Sequence, residues 1–372
     1  MVSNKTVVFY SVFPPFRGGI AKFSNSLALH LSKIINLIPI NFKKQYPNFL
    51  FPGKSQFDKS SPYIAMNQFG STFNPLSYVR LSKEVDRLNP DIFIASYWMT
   101  FMAPMLSFVA RRRSQECQRI LIVHNFIPHE ARCFDRFMNK LIIKSFDKFV
   151  VLSDKVKNDI LKVDKKADIK VIPHPHYNDY KQAIHQENAR KQIGVHLKKK
   201  TLLFFGLIRN YKGLDILLKA FSELPNDFQL IIAGEVYQNK KQYDALISSS
   251  KNKNIYFFDN FIPEDEVHLF FSSTDLCVFP YRSGTQSGVR AIADFYHVPS
   301  MLSNSGGIAE GIVHGKNGFL ISDLNSHSLS KQIEEVFTSD IIFKVKTELE
   351  NSKNEGKKDW DEFAKSLINL LP

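Results

Sequence analysis

FPYRSGTQSGVRAIADFYHVPSMLSNSGGIAEGIVHGKNGF, residues Phe279 to Phe319, holds the reading that decides the fold. An apolar strand, Leu276 to Phe279, stops at Pro280. The small-residue loop Ser283-Gly284-Thr285-Gln286-Ser287-Gly288 then opens a predicted helix over Val289–Tyr296. A strand, a glycine loop and a helix N-terminus in succession present free backbone N–H groups and the helix dipole to an anion. A second loop, Ser305-Gly306-Gly307, follows the next strand, with Glu310 and the turn His314 to Gly318 behind it. Two glycine loops at the ends of neighbouring parallel strands point to an α/β doubly wound sheet with a ligand crevice. Ordinary turns between buried strands are the alternative.

Upstream, Thr201–Phe205 reads as a strand, followed by Gly206-Leu207-Ile208-Arg209-Asn210-Tyr211-Lys212-Gly213 and a helix to about Leu224. Arg209 and Lys212 therefore fall between a strand's C-terminal end and a helix start. Both can reach one diphosphate there, Arg as a bidentate clamp and Lys as a point charge. Two solvated surface cations are the alternative. Gln229 to Ala233 with Gly234-Glu235 is the next strand and turn, and Ile255–Phe258 with Phe261-Ile262-Pro263 the one after.

The first half repeats the alternation. Thr6–Val12 is a β-branched and aromatic run, followed by Phe13-Pro14-Pro15-Phe16-Arg17-Gly18-Gly19 and a helix over Ile20–Ile34. Gly18 and Gly19 let a ligand approach the backbone, but the spacing is not GxGxxG, so no dinucleotide is expected. Asn41 to Tyr63 is aromatic and basic without regular periodicity and is read as a long loop. Its Lys43, Lys44 and Lys54 among phenylalanines suit an acceptor carrying lipid and phosphates, or a membrane interface. A loop packed on its own aromatics fits equally. Pro90–Ser96 is a strand, and Tyr97 begins an apolar helix ending at Arg111, too short to span a bilayer. Arg119–Val123 delivers His124 to a strand's carboxyl end, where α/β ligand crevices open.

The 372 residues suit two domains. Hydrophobic content of 44% and charged content of 23% are those of a globular protein. No run is long enough for a membrane span, and the first residues carry no signal-peptide apolar region. Three cysteines without metal-ligand spacing fit a reducing compartment, and a cytoplasmic location is expected. The net charge of +13 calls for anionic partners. Without an RNP-like motif, finger spacing or long basic block, nucleic acid is not expected. A phosphorylated ligand and peripheral contact with the inner face of an anionic membrane are.

These motifs resemble the retaining GT-B glycosyltransferases of the large family 4. Gly288, Pro299, Gly306-Gly307, Glu310, Gly315 and Gly318-Phe319 keep the frame of that family's donor-binding segment. Both of its glutamates are missing, one falling near Gly284 or Thr285 and the other near Ile292. Thr285-Gln286-Ser287-Gly288-Val289 is similar to a subset carrying Gln-Ser-Gly. Gly206 to Gly213 resembles the family's Gly-Arg-Leu-x-x-x-Lys-Gly motif, with Arg209 and Lys212 in its cationic roles. Gly-Gly-Ile-Ala at residue 18 onward resembles its N-terminal loop.

The resemblance implies two Rossmann-like doubly wound domains facing across a cleft. It implies an N-terminal acceptor-side domain, 1–180, a linker, 181–200, and a nucleotide-sugar domain, 201–350. A C-terminal helix, 351–372, beginning near Trp360, would return to the first domain. Arg209, Lys212 and His124 are implied as the catalytic set. Donor contacts are implied at Gly18, Gly19, Gly206, Gly234 and Ile262, and at Thr285, Gln286, Ser287, Gly288 and Val289. Asp294, two residues beyond Ile292, lies roughly 200° round a helix and is not expected to replace the missing carboxylate. The implied activity is transfer of a sugar from a nucleotide-diphosphate sugar to a glycan or lipid-linked acceptor with retention, in cell-surface polysaccharide or glycolipid synthesis. Neither cofactor nor metal is expected. A non-catalytic nucleotide-sugar-binding partner, or a sugar phosphorylase or epimerase on the same fold, are the alternatives.

Overall fold

The computed structural model describes residues 3–45, 55–58, 66–127, 134–177, 179–284, 288–351 and 359–370. Two compact units divide the chain, Met1–Pro175 with Lys358–Pro372, and His176–Lys357.

In the first unit the strands are β1 (Ser3–Ser11), β2 (Ile35–Lys44), β3 (Gln68–Ser71), β4 (Ile92–Tyr97), β5 (Gln118–Val123), β6 (Lys148–Val151) and β7 (Asp168–Val171). They form one parallel sheet in the order β3-β2-β1-β4-β5-β6-β7. Val7, Val8, Phe9 and Tyr10 of β1 are wholly buried, the unbroken apolar run of a parallel strand covered on both faces. The helices are α1 (Gly19–Leu31), α2 (Pro75–Leu88), α3 (Ala103–Arg111), α4 (Asp135–Ile143) and α5 (Asp154–Leu161). Phe23, Leu27 and Leu31, at helical spacing, bury the inner face of α1.

Three expected boundaries move. Helix α1 ends at Leu31 rather than Ile34, because Ser32 Oγ donates to Leu29 O at 3.0 Å and the chain turns into β2. Asn41 to Lys44, read as loop, complete β2: Asn41 pairs with Gln68 and Phe42 with Phe69. The polar Asn41 is buried there because its amide holds the loop after β1, Oδ1 accepting from Phe13 N at 3.1 Å. The apolar run from Tyr97 is not one helix. Tyr97 closes β4, a 3-10 turn spans Thr100–Met102, and α3 starts only at Ala103 with Pro104 in its first turn.

The second unit carries β8 (Lys200–Phe205), β9 (Phe228–Ala233), β10 (Ile255–Phe258), β11 (Leu276–Phe279), β12 (Ser300–Ser303) and β13 (Phe319–Ile321). They form a parallel sheet ordered β10-β9-β8-β11-β12-β13. Its helices are α6 (Gln186–Ile193), α7 (Leu214–Phe221), α8 (Lys240–Ser249), α9 (Val267–Ser272), α10 (Gly288–Phe295), α11 (Ser326–Thr338) and α12 (Ile341–Asn351). The polar segment 181–200, read as a linker, lies inside this unit and contains α6. One buried arginine fixes it: Arg190 pairs with Asp275 at 2.9 Å and donates to Ser273 O and Leu197 O.

The chain ends in α13 (Trp360–Ile368), which belongs to the first unit. Asp359 caps it by accepting from Glu362 N at 2.6 Å. Trp360 is completely buried, its ring 5.2 Å from that of Phe23 in α1. His30 of α1 meets Asp361 at 2.5 Å on the same seam.

Candidate functional site

Both sheets reverse their winding at one place, between β1 and β4 in the first and between β8 and β11 in the second. Ligands in open α/β sheets bind beyond the carboxyl ends of the strands at such a point. In the second unit that point is occupied by residues 206–213 after β8 and 280–284 after β11.

Lys212 closes a 3-10 turn, Asn210–Lys212, and its side chain folds inward. The residue is only 8% exposed, and its Nζ stands 3.4 Å from where a Cβ on Gly206 would be. The ammonium lies 5.4 Å from the Tyr281 ring centroid. Among the described residues it has neither an acidic partner nor a hydrogen bond. Burial, with the nearby Arg209 charge adding to it, pushes Lys212 down to about 7. Arg209 is half-buried, its guanidinium 5.2 Å from the Tyr237 ring centroid, and no described acid pairs with it either. Two neighbouring cations without carboxylates, one of them desolvated, make a site of strong positive potential.

Close backbone packing makes the site possible. Gly213 has φ +69°, and a Cβ there would lie 2.0 Å from Pro280 O. Gly234 has φ +153°, and its Cβ would lie 2.1 Å from Gly206 O. No larger residue fits either place without moving a neighbouring loop. Val289, in the first turn of α10, reaches over Gly206, its Cγ2 3.1 Å from the Cβ position there. Gly206, Gly234, Lys212 and the start of α10 at Gly288 are thus brought together. Ile262 lies half-buried beyond β10, on the same carboxyl edge. Thr285, Gln286 and Ser287 lie outside the described residues. At the position of the missing glutamate, Ile292 is buried. Asp294 is engaged within its own helix, facing Arg290 at 3.8 Å.

In the first unit, Gly18 and Gly19 begin α1 beside the end of β1, and a Cβ on either would meet no atom within 4 Å. His124 follows β5, its N–H donating to Tyr97 O at 2.9 Å. Its ring sits edge-on to Phe23 at 4.8 Å. Burial, with His174 adding to it, drives His124 down to about 3, so the imidazole is neutral at physiological pH. Its Nε2 is buried without a hydrogen-bond partner among the described residues, as is Oδ1 of Asn125. Lys43 and Lys44 stand exposed at the carboxyl end of β2, on a strand rather than the expected loop, while Lys54 lies outside the described residues. Among the described residues no group of three His, Cys, Asp or Glu side chains could hold a metal ion. Nor is any helix there long and apolar enough to cross a membrane.

Sequence reasoning missed Arg282 and Asp215, which tie the two loops of the second unit together. Arg282 donates from both terminal nitrogens to Asp215, at 2.9 and 2.6 Å, and from one of them to Asn210 O at 2.6 Å. The signal available was weak: an arginine three residues past a buried strand and an aspartate in the first turn of a helix.

Two parallel-sheet units of this kind define the GT-B class of glycosyltransferase fold. The family described as glycosyl transferases group 1 matches residues 185–359, and glycosyltransferase family 4 matches residues 54–176. An uncharacterized glycosyltransferase of Methanocaldococcus jannaschii is 24% identical over 96% of this chain and 95% of its own. The lipopolysaccharide 1,2-N-acetylglucosaminetransferase of Salmonella typhimurium is 22% identical over 69% of this chain and 71% of its own. Among solved structures, Anabaena HepE in complex with UDP and glucose superposes with a TM-score of 0.79, at 16% identity over 99% of each chain. Residues 185–359 thus match the group 1 glycosyltransferases and residues 54–176 match glycosyltransferase family 4, so the chain is similar to glycosyltransferases of this type along both units.

The buried ammonium makes a stability prediction. Because burial lowers Lys212 from 10.5 to about 7, its charge opposes folding fully below pH 7, and that cost fades as pH rises toward the ordinary lysine value. Lys212→Met should therefore melt at a higher temperature than the native protein, with a larger gain at pH 6 than at pH 9. A gain equal at both pH values, or a loss at pH 6, would show that the ammonium is not desolvated.

Proposed function

We propose that this glycosyltransferase moves a sugar from a nucleotide-diphosphate sugar to a glycan or lipid-linked acceptor, with retention of anomeric configuration. The observation that carries the reading is the buried Lys212 ammonium beside Arg209, with no carboxylate among the described residues to neutralise either. As the glycosidic bond breaks, charge develops on the departing diphosphate. Preorganised cations in a dehydrated site stabilise that charge more than they stabilise the ground state. Arg209 and Lys212 take this role, assisted by the N-terminus of α10 at Gly288 and by the backbone near Gly206 and Gly234. The reaction is read as metal-independent because these cations meet the leaving group themselves. Ile262 is assigned to the base, and Thr285, Gln286, Ser287 and Val289 to the phosphate and sugar.

His124 is assigned to the donor sugar together with Gly18 and Gly19. Driven neutral by burial, its imidazole serves as a hydrogen-bonding group rather than a charged acid. Front-face attack by the acceptor needs no protein nucleophile, a mechanism that tolerates the absence of a catalytic carboxylate. The Salmonella relative's lipopolysaccharide acceptor supports a cell-surface glycan or glycolipid role. The net charge of +13 and the exposed Lys43 and Lys44 support work at the inner, anionic face of a membrane, with Lys54 a further acceptor-side candidate.

Incubation with a panel of nucleotide sugars should release nucleoside diphosphate from one of them. Arg209→Ala and Lys212→Ala should each raise its activation barrier by about 1.5–3 kcal/mol, a loss of roughly ten- to a hundredfold in kcat/KM. Near-normal turnover in either variant would place the diphosphate elsewhere. Flotation with anionic vesicles should recover the protein in a salt-sensitive manner, whereas neutral vesicles should not. Equal recovery with both would remove the membrane from the account.

A further inference from the structure

The segment after β11 touches the cation loop at every one of its first three residues. Pro280 O packs where Gly213 lacks a side chain, and the Tyr281 ring faces the Lys212 ammonium. Arg282 makes the directional contacts. Its backbone N–H donates to Tyr211 O at 2.7 Å, and one terminal nitrogen donates to Asn210 O at 2.6 Å. The guanidinium also forms the two-pronged pair with Asp215, in the first turn of α7. Its partners thus lie on both sides of Lys212, two before it and one after. The side chain itself is 38% exposed while the Asp215 carboxylate is 13% exposed. A fork fixed by a largely buried carboxylate loses little freedom on making its third bond.

The same segment also reaches the second glycine loop. Ser303 Oγ and Ser305 Oγ both donate to Tyr281 O at 2.5 Å, and Gly307 N donates to Gly284 O at 2.8 Å. Residues 280–284 therefore join three loops at the switch point of the second sheet. Within the loop 209–213 the backbone bonds itself only locally, Lys212 N to Arg209 O at 3.0 Å and Gly213 N to Asn210 O at 3.1 Å. It is a single 3-10 turn, and its two cations repel each other with no acid between them.

We propose that Arg282 is a positioning residue, which through Asp215 and the Asn210 and Tyr211 carbonyls holds Arg209 and Lys212 at the place of the donor's diphosphate. The assignment rests on the reading of those two cations given above. It separates Arg282 from the cations it serves: its charge is already spent on Asp215, and its contribution is geometry. The consequence is expected at the diphosphate, because the reading above assigns the base to Ile262, beyond β10 and away from the loop that Arg282 clamps.

The test compares affinity for a nucleoside diphosphate with affinity for its parent nucleoside. The pair is chosen as whichever of UDP, GDP, ADP and dTDP the native protein binds best. In Arg282→Gln, diphosphate affinity should fall by about ten- to a hundredfold while nucleoside affinity stays within about twofold, a split that general loosening would not produce. Arg282→Lys keeps the charge but not the fork and should lose nearly as much. Asp215→Asn is the decisive variant. It makes the site more positive, so a purely electrostatic role for Arg282 predicts tighter diphosphate binding, whereas positioning predicts weaker. Melting temperatures restrict the comparison to folded variants, and Asp215→Asn carries the test if Arg282→Gln fails to fold. Full rescue in Arg282→Lys, tighter binding in Asp215→Asn, or equal losses for diphosphate and nucleoside would each overturn the proposal. Arg209→Ala and Lys212→Ala in the same assay report on the underlying reading. If they lose diphosphate affinity and Arg282→Gln does not, only the positioning role fails.

Discussion

A lysine side chain held out of water, with no counter-ion among the described residues, is the constraint around which the second unit is arranged. Lys212 is buried and Arg209 lies close by, so a protonated Lys212 at the switch point of its sheet has no counter-charge among the described residues. Such a site opposes folding, because desolvation of a charge is costly and no partner offsets it. The surrounding structure over-determines it. Gly213 and Gly234 allow backbones to approach as no larger residue would, and Arg282 with Asp215 clamps the loop from outside. An anionic ligand that supplied the missing negative charge would recover the cost, and the proposed donor diphosphate would be such a ligand.

The two units use the same sheet topology for different chemistry. In the second, the loops beyond β8 and β11 present positive charge. In the first, the end of β5 presents a neutral imidazole, with Nε2 of His124 and Oδ1 of Asn125 buried and without partners among the described residues. Buried polar atoms left without partners are uncommon in folded proteins and mark places where a ligand completes the hydrogen bonding. A cationic end suits a phosphate leaving group, and an uncharged polar end suits sugar hydroxyls. Burial decides the protonation of both groups, and in the same direction, toward the uncharged form.

Much of this was legible in the sequence. Apolar runs such as Val7 to Tyr10 and Leu202 to Phe205 can only be strands buried on both faces, and glycines with Arg209 and Lys212 beyond the second mark an anion corner. Periodicity failed where tertiary contacts override it. Asn41 is buried in β2 because its amide caps a loop from another part of the chain, a partner no local pattern announces. Arg190 turns an apparently polar linker into an anchored helix by pairing with Asp275, 85 residues away. Arg282 and Asp215, 67 residues apart, were invisible for the same reason. The steric demand at Gly213 depends on the carbonyl of Pro280, in the loop after β11. Resemblance singled out Arg209 and Lys212, and only the folded structure shows what holds their loop.

The central claim is that the donor's diphosphate supplies the charge that Lys212 lacks, and proton uptake on binding measures it most directly. Calorimetric titration with nucleoside diphosphate at pH 8, repeated in buffers of different ionisation enthalpy, counts the protons taken up. With Lys212 at about 7 in the free protein, most molecules are neutral there and must gain a proton when the anion arrives. The account predicts uptake approaching one proton per diphosphate in the native protein and none in Lys212→Met. Binding without uptake, or equal uptake in both proteins, would contradict it.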